Sequence, residues 1–104
     1  MIEFQFFEGC PNSKNSLDNL LEVTRELNIN DDEISIIQVP DRESAEKNNF
    51  QGSPTILIDG IDIYTDSKPS GYNYSCRVYS FNGNQTGIIP KQFIKDNILK
   101  YLQG

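Results

Sequence analysis

Segments with the period of a strand and segments with the period of a helix alternate along this chain. Residues 2–7, IEFQFF, alternate apolar and polar side chains, as a half-buried strand does. Residues 12–27 instead carry apolar positions three and four residues apart, which predicts an amphipathic helix. Residues 33–39, EISIIQV, are rich in β-branched side chains and predict a second strand. Strands that alternate with helices form a parallel pair through a right-handed crossover, so the pattern restricts the chain to an α/β architecture.

The middle of the chain continues the pattern with a short helix and a hairpin. Asp41, with Ser44 three residues later, is suited to be the N-cap of a polar helix over 42–49. In residues 55–64, TILIDGIDIY, the pair Asp59-Gly60 separates two apolar segments. Asp-Gly in this setting predicts a tight hairpin, because both turn positions favour positive φ.

The last third predicts a loop, a short strand, a turn and a final helix. Residues 65–75 are polar and form the loop, residues 76–81, CRVYSF, form the strand, and NGNQTG after them is interpreted as a turn. Pro90 begins a helix that runs to about residue 102. The apolar side of this helix is predicted to carry Ile94, Ile98, Tyr101 and Leu102. Residues 1–104 are thus predicted to form a single domain, a mixed sheet with helices on both faces.

Composition narrows the possible chemistry. The chain has no histidine, which excludes Ser-His-Asp and Cys-His nucleophile activation and the commonest imidazole metal sites. Its two cysteines cannot build a four-thiolate zinc site, and no phosphate-binding glycine motif occurs. We therefore expect no metal and no cofactor, and chemistry that depends on thiols, carboxylates, tyrosines or the backbone.

Charge and hydropathy narrow the possible partners and location. The net charge of −6 argues against sequence-independent binding to nucleic acid or to anionic lipid, which needs clustered Lys and Arg. The longest apolar runs cover only a few residues, and the N-terminal MIEFQFF lacks the basic stretch and apolar core of a signal peptide. These features predict a cytoplasmic protein that binds neither nucleic acid nor membrane.

One of the two cysteines lies where the first strand meets the first helix. In FFEGCPNSK, Cys10 stands between a strand pattern and a helix pattern. The unpaired N–H groups and positive dipole end of a helix start stabilise a thiolate. Ser13 can donate a hydrogen bond to the sulfur, and Lys14 adds positive charge, whereas Glu8 opposes it. We predict a lowered pKa for Cys10; the alternative is a small buried residue at a tight turn.

The second cysteine, Cys76, lies 66 residues downstream, but the predicted topology brings it closer. If residues 55–58 lead away from Pro54, the hairpin strand 61–64 returns toward it, and Cys76 follows at that end. A resolving role, in which Cys76 forms a disulfide with Cys10, is then possible if the two Cα atoms lie within about 7 Å. The alternative is that Cys76 packs as an apolar residue under the loop.

Two local motifs give the chain a resemblance to the thioredoxin-like superfamily. That superfamily places a reactive cysteine just after the first strand, often as CxxC or CxxS, where this chain has Cys10-Pro11-Asn12-Ser13. It also places a cis-proline before its third strand, where this chain has Ser53-Pro54-Thr55. The resemblance covers roughly residues 2–64 and 88–102. More narrowly, FFEGCPNS, GSPTILIDG and SCRVY resemble a group of small prokaryotic thioredoxin-fold proteins, some of them named for a link to alkylmercury lyase.

The resemblance implies a βαβαββα order with an insertion before the last helix, and roles for particular residues. Cys10 would be the nucleophile, assisted by Ser13. The Ser53–Pro54 bond would be cis, which exposes the Ser53 backbone to an extended peptide or glutathione-like substrate. The substrate-binding residues implied in this way are Pro11, Ser53, Pro54 and Thr55. The chain departs from the family in having Ser13 where a dithiol motif has its second cysteine, and in lacking tryptophan.

The loop around Cys76 adds one further candidate. Arg77 is suited to hold a substrate carboxylate or to favour a thiolate, and with Tyr72 and Tyr74 it would line the mouth of a cleft. The alternative is an exposed loop with no binding role.

Three functions remain open at this point. The first is a thiol-disulfide oxidoreductase or thiol-transfer protein, in which Cys10 attacks a protein or glutathione-like disulfide and Cys76 or an external thiol resolves the adduct. The second is binding of a soft metal or an organomercurial by the thiolates of Cys10 and Cys76. The third is a non-enzymatic binding module in which Cys10 has no reactive role.

Overall fold

The computed structural model describes residues 1–103. Among these residues, no helix is both long and apolar enough to cross a membrane. The elements, in chain order, are β1 (Ile2–Phe6), α1 (Ser13–Glu26), β2 (Ile34–Gln38), α2 (Arg42–Lys47), β3 (Thr55–Ile58), β4 (Ile61–Asp62), β5 (Tyr79–Phe81), β6 (Asn84–Thr86) and α3 (Lys91–Gln103). The predicted alternation of strands and helices is confirmed.

Strands β1 to β4 form one mixed sheet in the order β2-β1-β3-β4. β1 runs parallel to β2 and antiparallel to β3, and β4 adds an antiparallel edge. Gln5, near the end of β1, pairs with Thr55, the first residue of β3. The segment that follows β1, with Cys10, and the segment that precedes β3, with Pro54, therefore meet at the same end of the sheet.

Two apolar clusters pack on opposite faces of this sheet. In the larger cluster, α1 and α3 cover the side chains of β1 and β3 that point to one side, and its members include Ile2, Phe4, Leu20, Val23, Ile56, Ile58, Ile94 and Ile98. The smaller cluster joins Ala45 of α2 to Val39 and Phe50, with Phe7 packed against them. Because successive strand residues face opposite sides, Phe4 and Phe7 point to different faces. The α/β class, with three helices around a four-stranded mixed sheet, is therefore confirmed.

Two local predictions from sequence patterns are also confirmed. Asp41 caps α2, since its carboxylate accepts a hydrogen bond of 2.8 Å from the Ser44 N–H. Asp59 and Gly60 join β3 to β4 with φ of 50° and 83°, the left-handed geometry expected of an Asp-Gly hairpin.

The region before α3 differs from its prediction. NGNQTG is not only a turn, because Asn82 and Gly83 form a second positive-φ turn and the residues after it form β6, which pairs with β5. β6, Asn84–Thr86, has no buried residue, so it lacks the apolar alternation by which a strand is recognised.

The end of α3 also differs from its prediction. Tyr101 and Leu102 are 45% and 57% exposed. The Tyr101 hydroxyl donates to the Asp59 carboxylate at the β3–β4 turn. The last turn of α3 therefore runs along the surface beside that turn and does not cover the core.

Candidate functional site

Cys10 lies in the turn between β1 and α1. Gly9, with φ of 93°, reverses the chain after β1, and α1 begins at Ser13, three residues after the cysteine. The Ser13 N–H donates to the Cys10 carbonyl at 3.3 Å, which closes this turn onto the helix. Cys10 is only 7% exposed. Pro11, expected at the helix start and as a substrate-binding residue, is an exposed turn residue two positions before α1.

A backbone pairing brings Cys76 to the same place. The Ser53 N–H donates to the Ser75 carbonyl, and the Arg77 N–H donates to the Ser53 carbonyl, both at 2.9 Å. These bonds form an isolated parallel bridge between Ser53 and Cys76. The Ser53 backbone, expected to pair with an extended substrate, is thus already paired with a segment of the same chain.

Gly52 permits this close approach. Its φ is 113°, and a Cβ at this position would lie 3.0 Å from the Arg77 Cβ and 3.1 Å from the Ser75 carbonyl oxygen. A side chain at position 52 would therefore push against the segment that carries Cys76.

The two sulfur atoms are in contact. The Sγ atoms of Cys10 and Cys76 are 3.1 Å apart, and the Cys76 S–H donates to the Cys10 sulfur. Both residues are free thiols, Cys10 buried and Cys76 exposed. The Cys10 S–H in turn donates to the Ser53 carbonyl at 3.4 Å. A thiol that reaches solvent therefore lies next to a thiol that is enclosed.

The two thiols differ in acidity. Burial of Cys10 raises its pKa, but hydrogen bonds from Cys76 and from the Asn12 backbone N–H oppose this effect. The side chains of Ser53 and Ser13 add to them, and the net result is a pKa below that of an ordinary cysteine. The pKa of Cys76 is raised, first by its hydrogen bond to Cys10, then by burial and by the charge of the Cys10 thiolate. Cys10 is the thiol that ionises first.

Neither of the charged residues near Cys10 in the sequence, Lys14 and Glu8, helps to stabilise its thiolate. Lys14 points to solvent, and its Nζ pairs with Asp18 one helical turn away at 3.1 Å. Glu8 is exposed. The thiolate of Cys10 is stabilised by hydrogen-bond donors, not by a lysine.

Two buried serines contact each other beside Cys10. The hydroxyl groups of Ser13 and Ser53 are 2.8 Å apart and buried. The Phe7 N–H donates to the Ser53 hydroxyl at 3.2 Å, which fixes this pair relative to the end of β1. The Ser53–Pro54 bond is cis, as the resemblance implies, and the Tyr79 hydroxyl donates to the Pro54 carbonyl.

Arg77 does not face the sulfur atoms. Its guanidinium is 2.8 Å from the carboxylate of Asp62, and the two side chains are 11% and 1% exposed. It also donates to the Thr55 hydroxyl at 3.0 Å and stacks over the ring of Tyr79. Burial raises the pKa of that tyrosine. The substrate-binding roles expected for Arg77 and Thr55 are therefore not available in this arrangement, because both side chains are enclosed in an internal network.

Sequence reasoning missed Asp62 and Tyr79 in this network. The sequence patterns place Asp62 within the hairpin of residues 55–64 and Tyr79 within the strand of residues 76–81, and they indicate no further role for either. Asp62 and Arg77 are 15 residues apart in the sequence, so no short-range pattern connects them. The one available indication is an acidic residue within the apolar segment IDIY.

A cavity of about 280 Å³ opens beside Cys10. Its walls are mostly apolar and come from the end of β1 and the start of α1, with Phe6, Phe7 and Leu17 among them. Cys76 does not line this cavity. A larger cavity of about 370 Å³ lies at the opposite end of the sheet, beside the β3–β4 turn, and neither cysteine lines it.

Comparisons with models of protein families, with curated proteins and with solved structures found no match.

Proposed function

We propose that the protein is a thiol-disulfide oxidoreductase or thiol-transfer protein with a thioredoxin-like fold, in which Cys10 is the nucleophile and Cys76 the resolving thiol. The observation that carries this proposal is the 3.1 Å separation of the two sulfur atoms. Only a small further approach is needed for a disulfide bond, whose length is about 2.05 Å.

The arrangement of strands supports the fold part of the proposal. The sheet order β2-β1-β3-β4 has a parallel pair at one side and an antiparallel hairpin at the other. The cysteine after β1 and the cis-proline before β3 lie at one end of it, as the resemblance implies. Cys76 belongs to the segment between β4 and β5, outside residues 2–64 and 88–102, which the superfamily resemblance covers.

The first chemical step uses the more acidic thiol. The Cys10 thiolate attacks one sulfur of a substrate disulfide, the substrate S–S bond breaks, and one substrate thiolate leaves and takes a proton from water. Cys10 is then joined to the other half of the substrate in a mixed disulfide, which is no longer charged. The charge and hydrogen bond that raise the pKa of Cys76 are thereby lost, so Cys76 ionises more readily for the second step.

The second step completes a two-electron exchange. The Cys76 thiolate attacks the Cys10 sulfur, the mixed disulfide breaks, and the second substrate thiol is released. The substrate disulfide has then been reduced to two thiols, and the protein dithiol oxidised to a Cys10–Cys76 disulfide. A dithiol or monothiol reductant returns the protein to its starting state.

Trapping experiments test this order of events. With hydroxyethyl disulfide, the wild-type protein should lose two hydrogens and retain no adduct in its intact mass. Cys76→Ser should accumulate a mixed disulfide at Cys10, and Cys10→Ser should react more slowly, because Cys76 lacks the hydrogen-bond donors that lower the pKa of Cys10. Adducts that form at equal rates on both single variants, with no internal disulfide in the wild type, would exclude the proposal.

The same sulfur pair makes soft-metal binding a second candidate. Two adjacent thiolates suit a soft ion such as Hg²⁺ or an organomercurial. Within residues 1–103, no group of three or more potential His, Cys, Asp or Glu ligands is present, so such a site would rest on the thiolates alone. Stoichiometric mercury binding that either single cysteine variant abolishes, together with no reaction toward disulfides, would favour this function.

A further inference from the structure

The cavity beside Cys10 has the chemistry of a binding site for an apolar group. The buried Phe4 and the partly buried Phe6 and Leu17 are among the residues that line it. An apolar cavity of roughly 150 Å³ is enough to hold benzene. At about 280 Å³, this cavity has room for an aromatic ring and the atoms that join it to sulfur.

The charged residues at the edge of the cavity are exposed to solvent. Glu8 and Lys14 contribute to its edge, but both are exposed, and the Lys14 ammonium pairs with Asp18. Arg77, the cation nearest to Cys76 in the sequence, is held in the buried ion pair with Asp62. The carboxylates and ammonium group of glutathione would therefore find no buried ionic partner beside Cys10.

Cys76 contacts Cys10 without forming part of the cavity wall. Cys10 lines the cavity and also contacts Cys76, whereas Cys76 is not among the cavity residues. Displacement at a disulfide sulfur takes place in line, with the attacking and the leaving sulfur on opposite sides. A substituent held in the cavity would thus not occupy the position from which Cys76 attacks.

We infer that this cavity receives the group attached to sulfur in the substrate, and that the preferred substrates are disulfides or thiols bearing an uncharged aromatic or branched aliphatic group. The inference rests on the proposed function and adds the substrate class. Such a group replaces water against the phenylalanine and leucine side chains, while the substrate sulfur lies at Cys10.

Two thiosulfonates that differ only in the transferred group test the inference. Benzyl methanethiosulfonate and hydroxyethyl methanethiosulfonate both convert a thiolate to a mixed disulfide and release the same methanesulfinate. In Cys76→Ser, only Cys10 reacts. The rate of Cys10 with the benzyl reagent is divided by its rate with the hydroxyethyl reagent. This ratio is then divided by the same ratio measured for a free cysteine derivative, which gives a normalised ratio. We expect a normalised ratio of about ten.

A matched pair of variants in the same background assigns the preference to the cavity. Leu17→Gln places an amide in the cavity wall, whereas Leu21→Gln changes a partly buried leucine of α1 that does not line it. The normalised ratio should fall toward one in the first variant and stay near ten in the second. Thermal unfolding establishes that both variants are folded. The comparison of the two reagents in Cys76→Ser alone uses neither leucine variant, so it holds even if a leucine variant fails to fold.

The outcomes separate this inference from the proposed function. A normalised ratio near one, in a protein that still forms the Cys10–Cys76 disulfide, overturns the substrate class and leaves the oxidoreductase proposal intact. An equal fall in both leucine variants also overturns it. A high ratio in a protein that never forms the internal disulfide overturns the oxidoreductase proposal and, with it, the substrate assignment.

Discussion

At the scale of single residues, the distinctive feature is the unequal pair of thiols. Cys10 is enclosed and receives hydrogen bonds, whereas Cys76 is exposed and donates one. Burial alone would make Cys10 a poor nucleophile, because it disfavours the charged form. The neighbouring donors reverse that effect, so a buried cysteine has the lower pKa.

The pH dependence of alkylation tests this balance. Only the thiolate reacts, so the iodoacetamide rate at Cys10 rises with pH and levels off above its pKa. The midpoint for Cys10 should lie below the pKa of an ordinary cysteine, which is about 8.5. Cys76→Ala removes a hydrogen-bond donor and should move the midpoint upward, whereas Cys76→Ser keeps a donor and should move it less. A midpoint that Cys76→Ala leaves unchanged would show that the second thiol does not stabilise the thiolate.

At the scale of elements, the segment between β4 and β5 determines whether the two sulfur atoms meet. Residues 75–77 pair with Ser53, and Arg77 anchors the same segment through Asp62 on β4. The position of Cys76 thus depends on a backbone bridge and on a buried ion pair, neither of which involves a sulfur atom.

Gly52→Ala should separate the sulfur atoms without altering either cysteine. The added Cβ meets Arg77 and Ser75 at a residue with positive φ, so the segment that pairs with Ser53 must shift away. Closure of the Cys10–Cys76 disulfide from a Cys10 mixed disulfide should slow by about tenfold or more. Gly71→Ala is the matched control, because Gly71 also has positive φ but open space around it. Equal closure rates in the two variants would contradict the role of the bridge.

The buried ion pair should contribute to the stability of the fold. Arg77→Met leaves the Asp62 carboxylate buried without its cation, and the free energy of unfolding should fall by about 3–5 kcal/mol. Adding Asp62→Leu should restore most of the loss, since no buried charge then remains. Urea unfolding measures both variants, and Lys14→Met, which breaks an exposed pair, is the control for a lost charge. A double variant as unstable as Arg77→Met would contradict this account.

At the scale of the whole molecule, the sequence predicted the architecture better than the detail of the site. Strand and helix periods predicted the alternation of the elements, whereas the expectation that Cys10 and Pro54 lie close together came from the resemblance. The return of the chain through the Asp59-Gly60 hairpin made an approach of Cys76 possible, but hairpin geometry cannot give a distance. The contact depends on the bridge at Ser53, which has no local sequence pattern.

The missed features share a physical cause. The Asp62–Arg77 pair and the cavity beside Cys10 arise where residues distant in sequence pack together, and periodicity describes only one element at a time. Leu17 packs against the core from the first helix, but it also lines the cavity together with residues from the end of β1. β6 was not predicted because its residues are polar and none of them is buried.

A redox titration of the whole protein tests the central claim most directly. The wild-type protein is equilibrated with mixtures of reduced and oxidised glutathione and quenched with acid. Its intact mass is then measured by mass spectrometry. The two free thiols should disappear together in one transition, giving a Cys10–Cys76 disulfide with no bound glutathione. Two separate transitions, each adding one glutathione to one cysteine, would contradict the account.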